Sequence, residues 1–167
     1  MRNPVVIYAA GPIDLGKDVP NWRADLMLEL HNLSQPAVLF DPSTAFKTSQ
    51  WGILDLGRSL FIERVNRFAL DASSAFVALI PKKVPSVGTP IEAEFAAISG
   101  GVAHQYIISD IEPGKSVYLD NRFTVGNWFI TDLADVADIR LKIQQLARLI
   151  IENANPKAAK KSKYNDD

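Results

Sequence analysis

The sequence predicts a single-domain α/β fold, in which a parallel sheet of about five strands has helices on both faces. Three observations support this prediction. The chain has 167 residues, a length that suits one domain with one proper core. Its apolar runs are short and continuous, as in strands that are buried on both faces. Segments with apolar residues at helical spacing separate these runs, which is the order of βαβ units.

The first half of the chain alternates predicted strands and helices. The elements are a strand at 5–10, a helix at 20–33, a short strand at 37–40, a loop at 43–53 and a helix at 54–70. In both helices, apolar side chains recur every three or four residues, which defines one buried face on each. The loop is predicted because residues 43–53 are polar and aromatic and show no clear period.

The second half continues the same alternation. The elements are a strand at 75–80, a helix at 91–99, strands at 106–109 and 128–131, and a long helix at 135–153. Gly100 and Gly101 end the first of these helices. We therefore predict one domain over residues 1–154. Residues 155–167 are rich in Lys, Ala and Asp, and we predict a disordered charged tail there.

Composition excludes several classes of protein. The net charge of −1 gives no broad electrostatic footprint for nucleic acid. The chain contains no cysteine, which excludes disulfides and thiolate chemistry, and its two histidines lie far apart at His31 and His104. No apolar stretch reaches the length of a membrane span, and Met1–Pro4 is too short to be a signal peptide. We expect a soluble cytoplasmic protein that binds neither a metal nor another cofactor.

The most informative motif follows the apolar strand at 75–80. VGTPIEAEFA, residues 87–96, predicts a turn and then a helix that carries Glu92 in its first turns. Ligands of open α/β sheets bind at the carboxyl ends of the strands, and a helix start there offers unpaired N–H groups to an anion. Glu92 is therefore either a group that acts on the ligand or an acid that offsets the helix dipole.

Two segments resemble a known family of enzymes. VVIYAAGPI, residues 5–13, and GTPIEAEFA, residues 88–96, resemble the nucleoside 2-deoxyribosyltransferases and their relatives, the nucleoside 5′-monophosphate N-glycosidases. In that family a first strand ends in a pattern like IYLAGP, and a later GT precedes the catalytic glutamate. The resemblance covers roughly residues 5–110 and implies a Rossmann-like, flavodoxin-like sheet.

The chain departs from the family pattern at three positions. Glu94 replaces a glycine, and Asn66 and Ser74 replace two aspartates. The first of these aspartates assists the leaving base, which an amide can do by hydrogen bonding but not as an acid. Two alternatives follow: the substrate base leaves with less help, or another acid, such as Asp71 or Asp41, substitutes.

The resemblance implies that Glu92 is the catalytic carboxylate, either attacking the anomeric carbon or stabilising an oxocarbenium-like sugar. It also implies that the Tyr8 hydroxyl orients Glu92 and that Asn66 contacts the base. The alternative for Tyr8 is an ordinary core tyrosine, and for Asn66 an ordinary polar residue of a helix.

Further residues are candidates for binding the substrate. Gly11 and Pro12 form the turn after the first strand, and Asp41 follows the second, where its alternative is a turn-forming role. Aromatic rings in the loop are candidates for stacking on the base, and polar groups near the later helix start are candidates for sugar or phosphate. These residues are Phe46, Trp51, Ser86, Gly88 and Thr89.

The predicted function is cleavage of the N-glycosidic bond of a nucleoside, a deoxynucleoside or its 5′-monophosphate, by hydrolysis or by base transfer. The resemblance also implies a homodimer or higher homo-oligomer with a shared site, to which Asn121 and Arg122 of SVYLDNRF contribute. Two alternatives are a nucleotide-sensing module that binds without cleaving and an enzyme like the NAD glycohydrolases. Sequence does not separate hydrolase from transferase.

Overall fold

The computed structural model describes residues 4–12, 21–45, 55–82, 88–98, 102, 104–112 and 126–154. Several predictions concern residues outside these ranges. They are those on Phe46, Trp51, Ser86, Asn121, Arg122 and the tail at 155–167.

The described residues form a five-stranded sheet in the order β2-β1-β3-β4-β5. The strands are β1 (Val5–Ala10), β2 (Ala37–Phe40), β3 (Ala75–Ile80), β4 (His104–Ser109) and β5 (Asn127–Ile130). Every neighbouring pair is parallel, and the order is that of flavodoxin-like sheets. The predicted fold class is confirmed.

Helices α1 (Trp22–Asn32), α2 (Pro42–Ala45), α3 (Asp55–Asp71), α4 (Gly88–Ile98) and α5 (Val136–Ala154) connect and cover the strands. Residues 43–45 belong to α2, so the loop predicted there is wrong at its start. Pro42 suits the first position of a helix because its φ is already helical. The Thr44 N–H donates to the Asp41 carbonyl at 3.1 Å and closes the turn.

Helix α4 begins at Gly88, three residues before the predicted start. Pro90 therefore lies inside the first turn, where a missing N–H costs nothing because first-turn N–H groups have no partner within the helix. Gly88 and Thr89 consequently belong to the helix itself and not to a preceding loop. Glu92 is in the second turn.

Helices cover both faces of the sheet, as predicted. Alternate side chains of β1 enter two separate cores. Ile7 and Ala9 pack with α1 and α5, whereas Tyr8 and Ala10 pack with α3 and α4. Strand β3 is buried along its whole length, which explains its continuous apolar sequence.

Strand β1 lies between β2 and β3. The chain passes from β1 to β2 on one side of β1, and β3 then pairs with β1 on the opposite side. Such a point, where the strand order reverses, is where open α/β sheets bind ligands. Gly11 and Pro12 follow β1 there. None of the helices that the structure describes is long and apolar enough to cross a membrane.

Candidate active site

Glu92 lies where three elements meet. Its Oε1 accepts a hydrogen bond from the Tyr8 hydroxyl of β1 at 2.8 Å. The same oxygen accepts a second bond from Nδ2 of Asn66, on α3, at 3.3 Å. The structure therefore brings together the three residues for which the sequence predicted a catalytic role.

Packing holds Tyr8 in place. Its side chain is fully buried, and it is paired in register with Phe40 of β2 and Phe76 of β3. The Tyr8 ring stacks on both rings, at centroid distances of 5.4 Å and 5.9 Å. Because neighbours on both sides fix the ring, its hydroxyl has a defined position at Glu92.

Burial dominates the electrostatics of the pair. It raises the pKa of Glu92, while the Tyr8 hydrogen bond and the charge of Arg23 act in the opposite direction. Burial also raises the pKa of Tyr8 far above its usual range, and the charge of Glu92 raises it further. Tyr8 therefore stays protonated and remains a hydrogen-bond donor, whereas Glu92 loses its proton at a higher pH than an exposed glutamate does.

The raised pKa of Glu92 predicts that Glu92→Gln stabilises the fold. A carboxyl whose folded-state pKa exceeds the unfolded value contributes stability below the unfolded pKa, and this is lost as pH rises through the folded pKa. Glutamine keeps the acceptor oxygen without the charge. We expect Tm to rise by about 2–4 °C near pH 8. Thermal unfolding should show the gain shrinking as pH falls towards the usual glutamate pKa, and a constant difference would contradict this explanation.

The amide nitrogen of Asn66 donates a hydrogen bond to Glu92. Its Oδ1 is buried and has no hydrogen-bond partner among the described residues. Such an acceptor is costly to leave unpaired unless a ligand or water supplies a donor. Contact of Asn66 with the base stays a prediction. Asp71, one proposed substitute acid, is exposed at the far end of α3, near the start of β3 and away from Glu92.

Asn66→Asp should change the pH dependence of cleavage. It places a second carboxyl beside Oε1 of Glu92, and two adjacent carboxyls retain a shared proton to higher pH. We expect the rise of kcat/KM with pH to move to higher pH, with about a tenfold loss on the acidic side of the profile. Base release measured across the pH range checks this. An unchanged profile and unchanged base preference would indicate that Asn66 has no part in the reaction.

A cleft of about 280 Å³ opens beside Glu92. Its walls come from α3 and α4. The lining residues are Ile62, Glu63, Asn66, Arg67, Leu70, Ile91, Glu92 and Phe95. The Arg67 guanidinium lies over the Phe95 ring at 4.3 Å and binds Glu63 at 2.6 Å. A mostly apolar cleft with a few converging polar groups is typical of a small-molecule site, and its volume is near the lower end for such sites.

Arg23 is a residue of the site that the sequence did not predict. Its Nε lies 3.2 Å from Oδ1 of Asp41, and its Nη2 donates to the Ala9 carbonyl at 3.3 Å. One feature of the sequence would have indicated its place near the site, namely its position at the start of the helix that follows β1. In a parallel sheet, the helix after a strand begins at the carboxyl edge, so a charged residue in its first turn lies near the site.

The remaining predicted residues that the structure describes lie at the same edge. A Cβ on Gly11 would be 3.3 Å from Nη2 of Arg23 and 3.4 Å from the Leu79 carbonyl oxygen, so a side chain fits there poorly. Pro12 is buried after it. Asp41 binds Arg23, and Thr89 is buried in the first turn of α4. Their contacts with a substrate stay predictions.

Comparison with known proteins finds likeness in structure alone, because no family model and no curated protein matches the sequence. A 2-deoxyribosyltransferase from Bacillus psychrosaccharolyticus superposes with a TM-score of 0.55 and 16% identity, over 80% of this chain and 95% of its own. The CMP N-glycosidase BcmB of Clostridium botulinum gives 0.53 and 16%, over 84% and 98%. A conserved protein from Enterococcus faecalis gives 0.55 and 19%, over 90% and 99%.

The chain has the fold of a 2-deoxyribosyltransferase. Each of these solved structures matches along nearly its whole length, so the likeness concerns the complete domain. The resemblance predicted from the sequence is confirmed at the level of the fold, while identities this low leave activity to be argued from the site.

Proposed function

We propose that this protein cleaves the N-glycosidic bond of a nucleoside, a deoxynucleoside or its 5′-monophosphate, with Glu92 as the catalytic carboxylate. The observation that carries the proposal is the largely buried carboxylate of Glu92, which accepts two hydrogen bonds beside the cleft between α3 and α4. Buried carboxylates with shifted pKa values in a cleft are candidates for catalysis.

The hydrogen bonds of Glu92 suggest which oxygen reacts. Tyr8 and Asn66 both donate to Oε1, which leaves Oε2 for the anomeric carbon. As the bond from C1′ to the base nitrogen breaks, its electron pair stays on the base, and Oε2 stabilises the positive sugar or bonds to C1′. Water or a second base then attacks C1′ and frees the carboxylate. The proton that the attacking group loses ends on the released base, which completes hydrolysis or transfer.

The partly desolvated site favours this chemistry. Charge–charge attraction between a carboxylate and an oxocarbenium-like sugar is stronger where water is excluded. Tyr8 holds the carboxylate in one orientation, so little reorganisation is needed when the sugar becomes positive. Two of the proteins that share this fold are a 2-deoxyribosyltransferase and a CMP N-glycosidase, which supports a reaction at this bond.

A 5′-phosphate would accept hydrogen bonds from the backbone N–H groups at the start of α4, which begins at Gly88 beside the site. Helix starts of this kind bind anions. We therefore favour the monophosphates slightly over the nucleosides. Arg122, which lies outside the described residues, is a second candidate for binding this group.

The proposal is tested by incubating the protein with each deoxynucleoside, each 5′-monophosphate and NAD, with and without an acceptor base. We expect free base from at least one nucleoside or monophosphate. New nucleoside formed with the acceptor would show transfer, and free sugar would show hydrolysis. If NAD alone releases its base, the enzyme is of the NAD glycohydrolase kind. Binding of nucleotides without release of any base would favour the sensing module, which the asparagine at position 66 supports.

We also propose that the protein is a homo-oligomer with a shared site. Large apolar side chains are exposed on the two helices beside the cleft, seven residues apart in each. They are Phe61 (38%) and Phe68 (75%) on α3, and Ile91 (42%) and Ile98 (73%) on α4. Residues seven apart lie on one face of a helix, and exposed apolar patches are characteristic of protein interfaces.

This proposal predicts that Phe68→Asp weakens association. A carboxylate at the most exposed of these positions would have to be desolvated in an apolar interface. We expect an at least tenfold weaker self-association in sedimentation velocity, on the scale of about 1.4 kcal/mol per decade. Leu141→Asp, at a half-exposed position of α5, is the control. A wild-type protein that sediments as a monomer with its activity intact would remove the claim.

A further inference from the structure

Arg23 and Asp41 form an ion pair that is almost closed off from solvent. Their side chains are 12% and 16% exposed, and Nε of Arg23 lies 3.2 Å from Oδ1 of Asp41. The guanidinium also lies 4.7 Å from the centre of the Trp22 ring. An arginine buried to this degree depends on its partners, because removing one partner leaves an uncompensated buried charge.

The same guanidinium holds the end of β1. Nε and Nη2 of Arg23 donate to the Ala9 carbonyl at 3.4 Å and 3.3 Å. Ala9 directly follows Tyr8, whose hydroxyl donates to Glu92. Gly11 leaves just enough room, since a Cβ there would be 3.3 Å from Nη2. Arg23 therefore connects Asp41, after β2, to the part of β1 that carries Tyr8.

We propose that Arg23, which Asp41 holds in place, is a positioning residue for Glu92, since it fixes the strand end that carries Tyr8 and keeps a cation near the carboxylate. The proposal rests on the proposed function, in which an ionised Glu92 is the reactive group. Arg23 acts through Tyr8 and through its charge, so it is a positioning residue.

Several charged or titratable groups face Glu92 from the surrounding elements, and they differ in their effect. They are Tyr8 of β1, Arg23 of α1 with its ion-pair partner Asp41, and Glu63 and Arg67 of α3. Glu63 and Arg67 bind each other and are about half exposed, so solvent and mutual pairing weaken their influence. Glu94 of α4 itself is exposed. Arg23 is the buried cation of this set.

The electrostatic effects agree with this geometry. The charge of Arg23 lowers the pKa of Glu92 against the larger effect of burial. Burial lowers the pKa of Arg23, and the charges of Asp41 and Glu92 oppose this. Asp41 thus keeps Arg23 in place but also neutralises part of its charge. The two partners should consequently influence Glu92 in opposite directions, which a purely structural role would not produce.

The test is a pH titration of the Glu92 carboxyl by NMR in protein labelled with ¹³C at glutamate side chains, with Glu92→Gln identifying the signal. We expect the Glu92 midpoint to move to higher pH in Arg23→Gln and to remain near wild type in Arg23→Lys, which retains the charge. Asp41→Asn should move it to lower pH. Arg67→Gln, which alters an exposed arginine of the same cleft, is the matched control and should leave it unchanged.

Kinetics supply a second measurement. We expect Arg23→Gln to lose about tenfold in base release on the acidic side of the pH profile and much less on its alkaline side, because high pH ionises Glu92 without the help of a nearby cation. A Glu92 midpoint that stays at the wild-type pH in Arg23→Gln would overturn the proposal. If that variant does not fold, a midpoint that is unchanged or raised in Asp41→Asn would overturn it. The NMR titration needs no substrate, so a wild-type protein that releases no base would contradict the proposed function and not this role of Arg23.

Discussion

Glu92→Gln is expected to lower kcat/KM for base release by about 10³-fold or more, a loss of about 4 kcal/mol in transition-state stabilisation. Glutamine keeps an oxygen for the Tyr8 hydroxyl and fills the same space, but it has no negative charge to offer an oxocarbenium-like sugar. Steady-state kinetics with the best substrate measure the loss. The fold should survive, since the variant is expected to be more stable than the wild type near neutral pH.

Glu94→Gln is the matched control. Glu94 is an exposed residue of the same helix, two positions from Glu92 and therefore on a different side of it. We expect its kcat/KM to stay within about twofold of wild type, as for most exposed positions. Near-normal turnover in Glu92→Gln, or an equal loss in both variants, would show that Glu92 is not the reactive carboxylate.

Tyr8→Phe should have the second largest effect. It removes the hydroxyl that donates to Glu92 at 2.8 Å and leaves the aromatic stack with Phe40 and Phe76 in place. Since that hydrogen bond lowers the pKa of Glu92, its loss should move the rise of kcat/KM to higher pH. We expect about a 10²-fold lower activity near neutral pH, because the carboxylate loses both its orientation and part of its charge.

Tyr106→Phe separates this effect from a general loss of stability. Tyr106 is also a buried strand tyrosine, and its hydroxyl accepts a hydrogen bond from Nδ2 of Asn153 at 2.8 Å. It belongs to the core on the other face of the sheet. Both variants should lose about 1 kcal/mol of stability. A pH profile that Tyr8→Phe leaves unmoved, or that Tyr106→Phe moves equally, would contradict the role of Tyr8.

The fold could be predicted because its strands are buried on both faces. The run at 75–80 shows no polar residue, and β3 occupies the same residues. The predicted helix boundaries, which depend on single residues, were less accurate than the predicted strands. The predicted start of α4 is three residues too late because Pro90 in a GTP turn suggests a break before the helix, although proline fits a first turn. The short α2 had no apolar period to mark it and was interpreted as loop.

The candidate site could be predicted in part. Glu92 and Tyr8 followed from the resemblance, and the structure places them in contact. The hydrogen bond from Asn66 to Glu92 depends on how α3 packs beside α4. The spacing of residues along the sequence does not predict this packing. Arg23 was missed because its partners, Ala9 and Asp41, are brought to it by the sheet order. Helical periodicity indicates only the apolar face of the helix at 20–33 and gives Arg23 no role.

The central claim is that the carboxylate of Glu92 carries the cleavage, and chemical rescue tests it most directly. In Glu92→Ala the side chain ends at Cβ, which leaves space beside the substrate for a small external carboxylate. The measurement is the rate of base release by Glu92→Ala and Glu94→Ala at increasing formate concentration. We expect Glu92→Ala to release almost no base alone and to recover activity with formate, while formate leaves Glu94→Ala unchanged. Release of base by Glu92→Ala at the wild-type rate without formate would contradict the claim.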